Sequence, residues 1–412
     1  MITVVVALAF SYGLQMYCTV PAFSSIGEEF ALSPSQTALM VSAFFLGYAT
    51  FHIPAGFFSA AYGLKTVAVT GSIIMSASTV LFAVSTEYWT LLLSRVLGGM
   101  GMSAIVGSAI PLAVAWSSPT NVRMIVGGFI NGLGATAGNA FGLYFWDYLT
   151  RWMSWRSSTL VAAAFGLLVT LLAIGVLRSP RGMADLDGGH FSWASTSRCL
   201  RSRSMWAIGI GSVGAYGALF TVSQLSPGYV ETELGFSSPN ASLVSTVMLL
   251  IGIPGALIGG YFADGARRYL PTLWLPAVML AILLISIPFA NSITVWIILA
   301  GVGFLGMMYF SPCTVSPGEY PDEIASRDFG TALGLVLTLG NCGSILFPYI
   351  YGRVTELSGP DTGWLVLGAA AALASSAFLL AREPRSSPAP GPDCIEAQAN
   401  KKMNPSQHDR IA

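Results

Sequence analysis

Residues 56–65 read GFFSAAYGLK and residues 260–268 read GYFADGARR, two versions of one pattern whose starts lie 204 residues apart. Each begins with a glycine, Gly56 or Gly260, and each follows a long apolar run. The first ends at Lys65 and the second in two arginines, so each marks the point where the chain leaves an apolar segment for a basic turn. The repeat predicts that the chain consists of two related halves.

Other glycine-rich runs recur at nearly the same spacing. The run at residues 98–101 has a counterpart at 301–306, and the glycines of 132–142 have counterparts in 330–343. Trp155 and Arg156 likewise correspond to Gly363 and Trp364. The repetition therefore extends over most of the chain.

The composition indicates a membrane protein. The chain has 412 residues, 54% of them hydrophobic and 9% charged, with a mean hydropathy of +0.68. Soluble domains carry about 25% charged residues, so a soluble fold could not bury this much apolar surface. The formal net charge is zero, which gives no indication of a nucleic-acid partner. The five scattered cysteines lack metal-ligand spacing, and we expect no metal and no cofactor.

A membrane-spanning helix needs about 20 mostly apolar residues. Twelve windows satisfy this: 2–21, 37–58, 66–84, 89–114, 124–146, 157–177, 205–225, 241–263, 270–290, 293–315, 329–351 and 364–381.

The loop charges predict the orientation. If both termini are cytoplasmic, fifteen of the 19 basic residues lie inside, three lie outside, and Arg95 lies within a span. This is the asymmetry that the positive-inside rule requires. The first span has no basic lead, which argues against a cleaved signal peptide and leaves open an upstream start.

Two polar stretches divide the chain. We expect an N-terminal six-helix bundle at 1–178, a cytoplasmic linker at 179–204, a C-terminal six-helix bundle at 205–382 and a disordered cytoplasmic tail at 383–412.

With these features the sequence resembles the major facilitator superfamily over nearly all twelve spans. The resemblance implies an all-α membrane protein with twelve transmembrane helices in two six-helix bundles related by a pseudo-twofold axis. The family has a cytoplasmic motif after span two, roughly G-x-x-x-D-x-x-G-R-K, that latches the gate. Ala60 replaces its Asp in the first copy. The gating residues that the two copies imply are Gly56, Gly63, Lys65, Asp264, Arg267 and Arg268.

Arg95 begins the segment RVLGGMG in span four, which is similar to the family's R-x-x-x-G-x-G motif. A buried arginine is costly unless it faces a wet cavity or finds acceptors. Two interpretations stay open: Arg95 binds an anionic substrate or takes part in coupling, or it caps carbonyls or snorkels to the nearby surface.

The energy source also stays open. All 19 acidic residues fall in loops, tails or span edges, Asp147 among the last, so the buried carboxylate of many proton-coupled relatives is missing. His52 is the one histidine within a span, and it fits either a titrating group or a hydrogen-bonded packing residue.

The family places its cavity between spans one, four, seven and ten, beside spans five, eight and eleven. Polar and aromatic residues there can bind a solute or join helices by hydrogen bonds. The candidate substrate-binding residues are Tyr12, Gln15, Arg95, Asn131, Tyr216, Gln224, Tyr309 and Asn341.

We therefore expect a monomeric plasma-membrane secondary transporter that moves a small organic solute by alternating access. One embedded arginine and no embedded acid favour an organic anion. The glycine stripe of span five is similar to the family's antiporter motif, with Asn139 in place of its Pro, and suggests drug or metabolite efflux as the alternative. A membrane enzyme and a sensor are the rivals from other classes, but we find neither a catalytic constellation nor a signalling domain.

Overall fold

The computed structural model describes residues 1–116, 124–178, 193–265, 268–325 and 328–384. All regular structure in these residues is helical. The helices of the first half are α1 (Ile2–Tyr17), α2 (Phe23–Glu29), α3 (Pro34–Tyr62), α4 (Leu64–Ala83), α5 (Tyr88–Ala115), a π-helical segment (Met124–Thr136), α6 (Ala137–Trp152) and α7 (Trp155–Val176). Those of the second half are α8 (Trp193–Arg201), α9 (Arg203–Leu234), α10 (Ser238–Gly265), α11 (Pro271–Ser286), α12 (Thr294–Val315), α13 (Phe329–Ser358) and α14 (Pro360–Ser375). Short 3₁₀ turns lie at Val20–Ala22, Ile287–Phe289, Ser316–Glu319 and Ser376–Leu380.

The predicted spans are present as helices. Eleven helical stretches in the described residues are long and apolar enough to cross a bilayer. The remaining predicted window, 124–146, is formed by the π-helical segment followed directly by α6. Glycines at four of its thirteen positions, which do not favour a regular α-helix, accompany this change in helix type.

Two polar stretches differ from the prediction in detail. Helix α8 lies within the predicted linker, and α9 begins at Arg203, two residues earlier than expected. Residues 179–192 of the linker and 385–412 of the tail lie outside the described residues.

Local sequence explains where α3 begins and ends. Ser33 and Gln36 form a reciprocal capping box, and Pro34 occupies the first helical position. Gly63 ends the helix with a φ of +84°, a conformation that side chains with a Cβ rarely adopt. This requirement gives Gly63 a structural role at the motif after span two.

The described helices enclose two large hydrophobic cores, as the repeat predicts, and two smaller clusters lie within the first half. One large core is built from residues between Val5 and Leu177 with Leu249 added, and the other from residues between Cys199 and Phe378. The first half and the second half therefore each form a bundle.

The two bundles meet near one end of the molecule. Three hydrogen bonds join them among the described residues: Tyr17 to Ser223, Arg95 to Gln224, and Ser238 to Asp147. All three lie in the halves of their helices away from Met1. We call this end the far end, and the end that carries Met1 and α8 the linker end.

Helices α3 and α13 show the same asymmetry. At the far end a β-carbon on Gly352 would lie 2.7 Å from Ala38 Cβ, so the helices are in close contact. Toward the linker end, a β-carbon on Gly56, Gly330 or Gly334 would have no atom within 4 Å. The bundles are thus closed at the far end and separated at the linker end along this pair.

Candidate functional site

Arg95 lies where α1, α3, α5 and α9 meet, and it is 4% exposed. Its Nε donates to Met40 O at 3.2 Å, and Nη1 donates to Met16 O and Thr19 Oγ1, both at 3.2 Å. Its guanidinium also covers the ring of Phe44, 4.6 Å from the centroid. These acceptors are neutral oxygens, and the carbonyl of Met16 belongs to the last turn of α1, where carbonyls lack helical partners.

Glycines on both α3 and α5 let the two helices pack closely around Arg95. A β-carbon on Gly99 would lie 1.9 Å from Phe44 O, and one on Gly47 would lie 1.9 Å from Val96 O. Because neither position can hold a larger side chain without moving backbone, α3 and α5 pack at minimum separation. The carbonyl of Met40 therefore comes within reach of Arg95.

Gln224 completes the Arg95 contacts from the other bundle. Arg95 Nη2 donates to Gln224 Oε1 at 3.3 Å, while Gln224 Nε2 is buried without a hydrogen-bond partner. The preceding residue, Ser223, bonds to Tyr17 at 2.6 Å. Two predicted binding residues, Arg95 and Gln224, are thus brought together across the bundle interface.

A small cavity lies beside the arginine. Its volume is about 10 Å³, room for about one water molecule. The lining includes Gln15, Thr19, Phe44, Ser94 and Arg95. Gln15 holds the N-terminal bundle together here, because it bonds to Ser11 and accepts from Thr79 at 3.0 Å.

Other predicted binding residues are spread over both bundles. Tyr309 bonds to Ser212 and Cys313 within the C-terminal bundle. Asn341 donates to Leu337 O, and its Oδ1 is buried without a partner. Asn131 lies in the π-helical segment, where its backbone oxygen accepts a hydrogen bond from Thr136 Oγ1 at 2.8 Å.

A chain of aromatic rings connects the bundles near Tyr216. The ring of Tyr216 lies 6.2 Å from Phe220, and Phe220 lies 4.6 Å from Phe45. Phe45 continues to Tyr48, with 6.5 Å between the ring centroids. Tyr48 was not among the predicted binding residues, because it lies in an apolar run of α3 without a neighbouring polar residue that marks it.

His52 has a hydrogen-bonded position next to this chain. Its Nδ1 lies 2.7 Å from Ser103 Oγ, and its ring lies 4.7 Å from Tyr48. The contact with Ser103 joins α3 to α5, as a packing histidine would.

The predicted gating residues have different surroundings. Lys65 donates to Ile174 O at 2.9 Å and so satisfies a carbonyl in the last turn of α7. Arg268 is exposed. Arg267 and the side chain of Asp264 lie outside the described part of the chain.

The sequence placed Asp147 at a span edge, and the structure adds that it is buried between the bundles, 2% exposed. Ser238, the first residue of α10, donates to Asp147 Oδ1 at 2.5 Å. Arg151 lies 3.1 Å from Oδ2, one turn along α6. A carboxylate at a helix N-terminus is favourably placed for the helix dipole, so this contact strengthens the far-end closure.

Helix α8 is attached to the C-terminal bundle. Arg198 makes a bidentate ion pair with buried Asp328, at 2.8 and 3.0 Å, and this pairing raises the pKa of Arg198. Burial acts to raise the pKa of Glu323, but hydrogen bonds from Ser202 and Ser204 outweigh it and leave that pKa below its ordinary value. No sequence pattern predicts these pairs, because their residues lie more than a hundred positions apart.

A sequence model of the Major Facilitator Superfamily matches residues 5–326. The chain belongs to the Major Facilitator Superfamily. This membership, the membrane-spanning helices and the two-bundle fold make it a secondary transporter that works by alternating access.

Relatives in this superfamily include transporters that are named for different solutes. The hexuronate transporter of Bacillus subtilis is 22% identical over 86% of this chain and 87% of its own length. The gentisate transporter of Corynebacterium glutamicum is 24% identical over 89% and 83%. The quinolone resistance protein NorA of Staphylococcus aureus is 24% identical over 82% and 85%.

A solved structure shares the fold. It is a bacterial homologue of the human lysosomal transporter Spinster, crystallised in an inward-facing and occupied conformation. It aligns with a TM-score of 0.75 at 16% identity, over 92% of this chain and 95% of its own.

Proposed function

We propose that this superfamily transporter moves a small organic anion, and that Arg95 supplies the positive charge that recognises it. One observation carries the proposal: the described hydrogen bonds of the buried Arg95 guanidinium all go to neutral oxygens. A cation without a counter-charge at the bundle interface favours an anionic partner. The hexuronate and gentisate relatives transport organic acids by name, which supports this choice.

Tyr12, Tyr216 and Asn341 are proposed to contact the rest of the solute. Tyr216 and Asn341 each have a buried oxygen without a hydrogen-bond partner, and both can pair with a hydroxyl group.

We further propose that the protein is a monomer in the plasma membrane, that it transports without catalysing a reaction, and that both termini are cytoplasmic. The excess of basic residues in the loops assigned to the inside supports the orientation. With the linker end in the cytoplasm, the separation at that end makes this an inward-facing conformation.

Counterflow in proteoliposomes tests the function. The panel contains a hexuronate, gentisate, a quinolone and an organic cation, each measured with and without a pH gradient. We expect the two organic acids to exchange and the cation to fail. Preference for the cation would contradict the proposal, and gradient-dependent export of the quinolone would favour the efflux alternative that NorA represents.

Arg95→Gln and Arg95→Lys test the residue. The lysine keeps the charge but cannot form the same fork of hydrogen bonds. We expect Arg95→Gln to raise KM for the acid by at least tenfold, with a smaller rise for Arg95→Lys. Equal KM values in Arg95→Gln and the wild type would reduce Arg95 to the capping role.

A further inference from the structure

The hydrogen bonds of Arg95 are divided unequally between the bundles. A guanidinium has five N–H groups, and four described bonds use four of them. Met16, Thr19 and Met40 accept three from within the N-terminal bundle, and only Gln224 accepts from the C-terminal bundle. One N–H of Nη2 is left over.

Gln224 also has donor capacity left over. Its side chain is 1% exposed, its Oε1 faces Arg95 at 3.3 Å, and its Nε2 is buried without a partner. A buried amide group without an acceptor is unfavourable. The pair therefore presents unused donors, and a ligand that suits it must bring acceptor oxygens, as a carboxylate does.

Opening the far end must break this contact, because Arg95 and Gln224 belong to different bundles. Arg95 would keep its three bonds to Met16, Thr19 and Met40 and so keep its position. Both N–H groups of Nη2 would then face the widening gap. A carboxylate can accept both, and such charge-assisted bonds are stronger than a bond to a neutral amide oxygen.

We infer that Gln224 is a release residue, whose carboxamide oxygen takes the place of the substrate carboxylate on Arg95 when the far end closes. The inference rests on the proposed function, since it requires an anionic solute. It gives the two conformations different affinities for that solute, which alternating access needs in order to bind on one side and release on the other. A neutral amide suits this role, because it competes for Arg95 without forming a permanent ion pair.

The test uses Gln224→Leu, which removes the competing oxygen and keeps a similar size. The probe is radiolabelled gentisate or a radiolabelled hexuronate, whichever the counterflow panel shows to be transported. Affinity is measured separately from each side of proteoliposomes of known orientation. We expect the ratio of linker-end to far-end affinity to rise by roughly tenfold over the ratio in Ser223→Ala, the equivalent of one charge-assisted hydrogen bond. The comparison with Ser223→Ala cancels the shift in the conformational equilibrium that follows when either interbundle bond is lost.

Ser223→Ala is the matched control. It removes the neighbouring bond to Tyr17, which also crosses the interface, and leaves the Arg95 contacts intact. An equal rise in both variants would mean that loosening the far end is the cause and would overturn the inference. No change in Gln224→Leu would overturn it as well.

A second variant covers a failure to fold. Gln224→Asn keeps the amide but shortens its reach, so we expect the same direction of change as for leucine. If the wild type transports none of the acids, the proposed function fails and the inference with it. If the acids are transported but neither Gln224 variant alters sided affinity, the inference alone fails.

Discussion

Gly99 shows how one missing side chain positions the arginine. A β-carbon there would lie 1.9 Å from the backbone oxygen of Phe44, which cannot move without moving α3. We expect Gly99→Ala to lower the free energy of unfolding by about 1–3 kcal/mol, the usual cost of overpacking. Thermal unfolding of the detergent-purified protein measures this.

Gly56→Ala is the control for that measurement, since no atom lies within 4 Å of its added carbon. It should unfold at the wild-type temperature or slightly above, because alanine favours the helix. A Gly99→Ala protein as stable as Gly56→Ala would contradict the close packing of α3 and α5.

Glu323 gives a pH-dependent expectation. Its pKa is lower in the folded protein than the ordinary value of about 4.3. Its hydrogen bonds to Ser202 and Ser204 therefore contribute stability that is complete above about pH 4.3 and is lost as the pH falls through the lower folded pKa. Glu323→Gln should melt below the wild type at pH 7, with a difference that narrows below about pH 4. A difference that stays constant with pH would contradict this.

The sequence predicted that Arg95 is a special residue within a span, but it did not predict which carbonyl groups accept its hydrogen bonds. An arginine in an apolar run stands out, whereas the carbonyls of Met16 and Met40 are backbone groups that every residue carries. The bonds to the carbonyls of Met16 and Met40 fit the capping interpretation of Arg95, and the substrate-binding interpretation stays a prediction.

Helix α8 was not predicted, because the polar composition of residues 179–204 is typical of a loop. We expect Asp328→Asn to weaken the bidentate pair with Arg198 and to increase amide hydrogen exchange across Trp193–Arg201 severalfold. Mass spectrometry of exchanged peptides measures the effect.

Glu356→Gln provides the comparison, because it removes the same charge from the exposed Arg353–Glu356 pair. Exposed pairs contribute little, so exchange in Trp193–Arg201 should be unchanged. If Asp328→Asn behaves like Glu356→Gln, the ion pair does not hold α8.

Hydropathy predicted the long helices well and the short or irregular ones poorly. The span windows ended where apolar residues ended, while α9 starts at Arg203 through a cap from Ser202 and extends to Leu234. The π-helical form of Met124–Thr136 was not predicted either, because its residues have the same hydropathy whether they form an α- or a π-helix.

For the whole molecule, the register of α3 and α13 predicts two contacts between these helices, one at each end, that cannot form in the same conformation. Gly352 meets Ala38 at the far end, and eighteen residues, five turns, separate Ala38 from Gly56 and Gly352 from Gly334. In a background without the five native cysteines, Ala38→Cys with Gly352→Cys should form a disulfide that stops transport until it is reduced.

Gly56→Cys with Gly334→Cys is the reciprocal pair. It should cross-link only in the conformation closed at the linker end, which excess solute on the far side should populate. Full transport by the oxidised Ala38–Gly352 pair, or simultaneous formation of both disulfides in one molecule, would contradict the rocking of two rigid bundles.

The internal repeat revealed this plan at the outset, because related halves must fold into related bundles. It could not reveal which end is closed. That depends on contacts such as Ser238 with Asp147, which join residues from different halves and follow no repeat.

The three described hydrogen bonds between the bundles also allow a rough value for the free energy that favours the closed far end. A net contribution of about 1 kcal/mol each gives a polar bias of about 3 kcal/mol, roughly a 150-fold preference. Taken alone, this polar bias would leave on the order of one molecule in a hundred in the opposite state without solute. Closure of the far end is then a modest preference that thermal motion can reverse. A solute that binds the other conformation more tightly by a few kcal/mol is enough to invert the populations.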